Sequence, residues 1–173
     1  MNSIYKSIIK TIILFSFFTM TLNVSAQVVD SKYDKFDKVS RLSFQKQQIT
    51  NIDWTHYGIY FEMNLVESSG YKVVYIIYEQ TVYQSYCFTG SSYIKFLLED
   101  DSTVELKYSG KVECESRGTL YGKFLLTDDN ISKLSNKKIK EMRVLYSDGY
   151  YDYKVNQKHS DDYFIKNLGL IGK

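Results

Sequence analysis

Residues 93–108 read YIKFLLEDDSTVELKY, and this stretch decides the fold class. Ile94, Phe96 and Leu98 alternate with other residues, the period of a strand with one buried face. Glu99-Asp100-Asp101-Ser102 supplies turn chemistry, and Val104, Leu106 and Tyr108 alternate again on the return. The segment is an antiparallel hairpin, and the same logic extends in both directions along the chain.

Upstream, Ile59, Phe61, Met63 and Leu65 alternate with Tyr60, Glu62 and Asn64, and Glu67-Ser68-Ser69-Gly70 closes that strand. Tyr71–Tyr78, YKVVYIIY, is apolar on both faces, with Val73, Tyr75 and Ile77 on one and Val74, Ile76 and Tyr78 on the other. That pattern predicts a central strand covered on both sides. A weak strand over 38–46 and another over Thr81–Phe88 complete this half. Downstream, strands are expected near 111–115, 119–126 and 140–147. Ser147-Asp148-Gly149 then turns into a partner strand that directs Tyr151, Tyr153 and Val155 inward. Thr127 or Asp128 caps a short helix near 128–134. Ser160 caps a C-terminal helix near 160–170, with Asp161 and Asp162 in its first turn and Phe164, Leu168 and Ile171 as its apolar stripe. About eight short antiparallel strands with two helical decorations define an all-β chain, an antiparallel β-sandwich or an open barrel.

The first 26 residues form an export signal. Lys6 and Lys10 make a basic start, Thr11–Leu22 is an apolar run, and Val24-Ser25-Ala26 offers small residues for cleavage between Ala26 and Gln27. The apolar run is short for a membrane span of about 20 residues, so no stable span is expected after cleavage. The division is therefore a cleavable signal over 1–26, a flexible polar lead-in over 27–36 and a single β-rich domain over 37–173. The expected location is the periplasm or the extracellular space.

Removing the signal changes the electrostatics. The whole chain has 22 Lys+Arg and 20 Asp+Glu, whereas residues 27–173 carry 20 of each. A net-neutral domain without a basic cluster lacks what phosphate binding requires, which argues against nucleic acid. Cys87 and Cys114 are either one disulfide, as an oxidising compartment allows, or two unpaired thiols. With His56 and His159 as the only histidines and no close cysteine pair, no metal or cofactor site is expected. No nucleophile elbow or paired-carboxylate motif stands out, so no catalytic residue is nominated and an enzyme is not expected.

Several segments together, Asp34-Lys35-Phe36-Asp37, LLEDDSTVEL, Leu126–Leu134 and KIKEMRVLYSDGYYDYKV, resemble small secreted bacterial β-proteins that are uncharacterised. The resemblance spans most of 34–168 and implies fold and location, with no function or functional residue attached. Function must come from composition. The chain has 17 tyrosines, and an exported tyrosine-rich sandwich suits non-enzymatic binding. Trp54, Tyr78, Tyr83, Tyr86 and Tyr150 are the candidate ligand-surface aromatics, since strand alternation can turn them outward. Tyr75, Tyr146, Tyr151 and Tyr153 are assigned to the interior. A glycan stacked on such rings is one partner. A protein partner is the alternative, for an envelope assembly factor or a secreted enzyme inhibitor.

Overall fold

The computed structural model describes residues 28–35, 38–51, 58–158 and 160–171. The export signal with its Ala26–Gln27 junction, Trp54, His56 and His159 lie outside them.

Two antiparallel sheets pack face to face, and a two-stranded ribbon lies beside them. The larger sheet has the order β1 (Val28–Asp34), β2 (Val39–Phe44), β4 (Ile59–Ser68), β5 (Tyr71–Val82), β10 (Gly118–Leu126), with β3 (Gln47–Gln48) also on β4. The smaller runs β12 (Gly149–Lys154), β11 (Ile139–Tyr146), β7 (Tyr93–Leu98), β8 (Thr103–Lys107). The ribbon pairs β6 (Tyr86–Phe88) with β9 (Glu113–Glu115). The sheets do not close on each other, so the fold is an all-β sandwich and not a barrel.

The alternation in the sequence places the core. Phe61, Met63 and Leu65 from β4, Val74, Ile76 and Tyr78 from β5, and Phe124 from β10 face Ile94, Phe96 and Leu98 from β7 and Met142, Val144 and Tyr146 from β11. All are buried, and edge contacts such as Phe61–Phe96, with ring centroids 6.1 Å apart, join the two layers. Gly122 stands opposite Tyr78 on β10, and a Cβ there would meet the Phe88 ring at 2.7 Å. Its lack of a side chain lets Phe88 pack edge-on against Tyr78 and Phe124, each at 5.2 Å.

A polar network is enclosed in this core. Tyr78 donates to Gln80 Oε1 at 2.5 Å and Tyr146 donates to the same oxygen at 2.9 Å. The Tyr78 and Tyr146 hydroxyls are 2.6 Å apart, and Gln80 Nε2 donates to the Tyr153 hydroxyl at 3.4 Å. Each hydroxyl of this network thus keeps a partner, which offsets the cost of removing it from water. Burial pushes the acid dissociation of Tyr78 and Tyr146 well above the ordinary phenol value.

Helix α1 (Asp128–Leu134) occupies the expected residues. Thr127 is its cap: the Asn130 amide donates to Thr127 Oγ1 at 3.2 Å and the Thr127 amide donates to Asn130 Oδ1 at 3.0 Å. Helix α2 (Tyr163–Ile171) buries Phe164 and Leu168, and Ile171 packs against the core as expected. Its start differs. Ser160 is buried and its hydroxyl donates to the Gln48 carbonyl, so the helix begins after Asp161 and Asp162. Asp161 instead pairs with Lys138 at 2.9 Å, and Asp162 pairs with Lys166 at 2.9 Å.

Three further expectations are corrected. The segment read as a polar lead-in forms β1, paired along β2 with every side chain exposed. The strand expected over Thr81–Phe88 is broken at 83–85, because β5 ends at Val82 in the large sheet and β6 leaves to pair with β9. The central strand β5 is buried on one face only. Val73, Tyr75 and Ile77 are half-exposed on the outer side, so Tyr75 is not an interior residue.

Candidate functional site

Of the nominated aromatics among the described residues, two are buried and two are exposed. Tyr78 is fully buried beneath Phe88 and Phe124, and Tyr86 is buried against Tyr146 at 4.7 Å; both leave the ligand-surface set. The reason is parity, since even-numbered residues of β5 and β6 face the core. Tyr83 and Tyr150 are outward, 64% and 59% exposed, one in the β5–β6 link and the other on β12.

What the fold does gather is a different set, on the outer side of the six-stranded sheet. Strand pairing lays Asn64, Tyr75 and Leu125 side by side across β4, β5 and β10. The next outward row is Glu62, Ile77 and Lys123, and the one after is Tyr60, Glu79 and Tyr121. Val66 and Val73 pair at the other end of the face. Directly opposed side chains lie about 5 Å apart at Cβ, so Tyr75 adjoins Leu125 with Ile77 in the next row, while Glu79 stands between Tyr60 and Tyr121. Tyr121 is 49% exposed and Leu125 37%, while Tyr60, Tyr75 and Ile77 are half-buried.

Charge is woven into this face. Lys123 Nζ lies 3.9 Å from the Tyr75 ring centroid, and Lys46 lies 5.5 Å from that of Tyr60. Such contacts favour a cation over the ring face. Lys46 also bonds both Glu79 carboxylate oxygens at 2.8 Å; that bond raises its affinity for a proton, and burial opposes the rise. Burial of Tyr75 among these groups raises its hydroxyl above the ordinary value. Ser43 donates to Asn64 Oδ1 at 2.7 Å and Asn64 donates to Glu62 at 3.2 Å, which fixes the polar margin.

The outer face of the four-stranded sheet is different in kind. Pairing lines up Asp152, Arg143, Lys95 and Glu105 across all four strands. Arg143 grips Asp152 through two bonds of 2.6 and 2.7 Å, and Lys95 reaches Glu105 at 3.2 Å. The Arg143 bond holds the Asp152 carboxyl below the usual range. Tyr93 and Tyr150 flank Leu145 in the adjoining row, with Lys95 and Arg143 over their rings at 5.3 and 4.2 Å. This face is a charge ladder already paired with itself. An open hollow of about 830 Å³ near its end is lined by Asn51, Lys140, Glu141, Lys154 and Lys158 among others, and of these Lys140 is ion-paired with Asp101 at 2.6 Å.

Cys87 and Cys114 stand directly opposite each other in the ribbon and form a disulfide, so of the two readings of the cysteines the bonded one describes the structure. Its loop of 27 residues stabilises the fold by about 3 kcal/mol in the chain-entropy model. Among the described residues, no three His, Cys, Asp or Glu side chains group as metal ligands would.

Fold and surface together define a disulfide-linked all-β sandwich with one aromatic outer face and one charge-paired outer face. Comparison with known proteins finds no match: no family model, no curated protein and no solved structure matches the chain. The outer-sheet surface was missed in the sequence because the two faces of β5 are equally apolar there. The signal that could have found it was Glu79, a charge that shares the strand parity of Tyr75 on β5.

Proposed function

We propose that this protein is a non-enzymatic binding domain, exported to the periplasm or the extracellular space, that engages a protein partner through the outer face of its six-stranded sheet. One observation carries the reading: Tyr75, Ile77 and Leu125 adjoin on the outer side of the sheet that holds the core, with Tyr60 and Tyr121 on either side of Glu79 beside them. Large contiguous apolar patches on a soluble domain mark interaction sites. The signal-like residues 1–26 and the disulfide support export.

Protein is favoured over glycan by the cations. A sugar stacks on a free ring face, and lysines already lie over Tyr75 and Tyr60. A protein partner can bury the ring edges and aliphatic side chains while pairing with the marginal charges. Tyrosines at the centre of such a face are the type of residue that dominates binding energy.

The test pairs two measurements. Capture from the host's native envelope fraction should retain a protein on the wild-type domain and lose it with Tyr121→Ala/Leu125→Ala. A Tyr150→Ala control should retain it. A saturable thermal shift with a glycan, abolished by the same double variant, would instead establish the sugar reading; a ligand at about 100 times its dissociation constant adds roughly 2.7 kcal/mol.

A further inference from the structure

Strand β1 is anomalous. All seven residues from Val28 to Asp34 are exposed, including Val29 at 65% and Tyr33 at 63%, and among the described residues the strand pairs with β2. It is the outermost strand of the six-stranded sheet, so one side of its backbone ladder has no further strand among the described residues. An edge of this kind is a template for another strand.

We infer that β1 is a self-recognition edge: two copies of the chain pair antiparallel through β1 about Ser31, joining their large sheets into one continuous sheet. The inference is independent of the aromatic binding face.

Register decides which residues meet across such a pair. In a two-fold antiparallel pair, residue i faces residue j of the other copy, and j of the first faces i of the second. Backbone groups and side chains both alternate, so only registers centred on a residue allow ladder bonds. Ser31 is the midpoint of Val28–Asp34, so this centre overlaps the full seven-residue strand. It sets Asp30 opposite the partner's Lys32 and, by symmetry, Lys32 opposite the partner's Asp30.

The neighbouring centres fail. Centring on Asp30 opposes that carboxylate to its own copy. Centring on Lys32 opposes two ammonium groups and sets Asp30 against the partner's Asp34. Within one copy Asp30 and Lys32 already lie 2.8 Å apart on the same side of the strand, so the pair is poised to share partners across the axis. Charged residues and the irregularity beside Val29 protect this edge from arbitrary strands. The same charges admit the strand's own reversed copy, which is how specificity is built from repulsion.

A single strand pair buries less than the roughly 1,200 Å² of a standard stable interface, so the dimer is reversible and concentration-dependent. The experiment is sedimentation velocity over a concentration series, using protein purified as expressed from the full chain. The wild type should dimerise. Asp30→Lys and Lys32→Asp, each of which opposes like charges at two symmetric positions, should weaken the dimer at least about tenfold. The swap Asp30→Lys/Lys32→Asp should restore it. An equimolar mixture of the two single variants should also dimerise, because each then faces the opposite charge. Since β1 buries no side chain, all variants should melt like the wild type, which separates lost pairing from lost folding. A wild type that stays monomeric overturns the inference. So does a dimer indifferent to both single variants, or a swap and a mixture that remain monomeric.

Discussion

The tyrosines of the core and the tyrosines of the outer sheet face are one residue type put to two uses. Inside, Tyr78, Tyr146 and Tyr153 converge on Gln80, and every hydroxyl is met by another polar atom. Outside, Tyr60 and Tyr75 turn their rings under lysines, and Tyr121 stands half in water. The inner group is held by burial and mutual hydrogen bonding, which are strong and local. The outer group is held by weak cation contacts that another molecule can replace. A tyrosine-rich composition alone therefore says little about binding; what matters is which end of the ring the fold satisfies.

The largest contrast should appear in stability. Tyr78→Ala empties a site ringed by Phe61, Phe88 and Phe124 and leaves Gln80 short of a donor, so a loss of about 3–5 kcal/mol is expected. Tyr121→Ala on the same sheet should change stability by no more than about 0.5 kcal/mol. Urea denaturation of both variants checks the pair, and a comparable loss for Tyr121→Ala would erase the distinction.

Alkaline titration should separate the groups next. Burial raises Tyr78, Tyr146 and Tyr153 above the ordinary phenol value of about 10. A group that is harder to deprotonate when folded contributes stability that is fully present below its unfolded value and declines as pH rises above it. Phenolate absorbance from the buried set should therefore appear only together with loss of the fold. A single smooth titration without unfolding would contradict this.

The smallest effect is at the surface. Lys123→Ala removes the cation over Tyr75 and should cost about 0.5–1 kcal/mol while leaving the core unchanged. A double-mutant cycle with Tyr75→Leu checks it, since leucine removes the ring and with it the interaction.

Which tyrosines went where was only half legible in the sequence, for a physical reason. A period of two sorts residues into two faces but does not say which is inside. On β12, Asp152 and Lys154 mark the wet side, so Tyr153 was assigned inward correctly. On β5 both sets are apolar, and Tyr75 and Tyr78 were interchanged. Turn and cap chemistry was more informative: the hairpin at 99–102, the turn around Gly149 with its φ of +140°, and helix α1 all stand where short-range signals put them. Strand β1 left no such trace, because it buries no side chain. The break at 83–85 contains neither proline nor glycine. It follows from where β9 lies and not from local propensity.

The binding face is tested most directly by tyrosine-selective footprinting of the native protein, alone and with the envelope fraction that holds its partner. Tyr78, Tyr146 and Tyr153 should stay unmodified in both conditions. Tyr121 should react in the free protein and be protected on binding, while Tyr150 reacts equally in both. Protection of Tyr150 with Tyr121 unchanged would contradict the assignment and move the binding face to the four-stranded sheet.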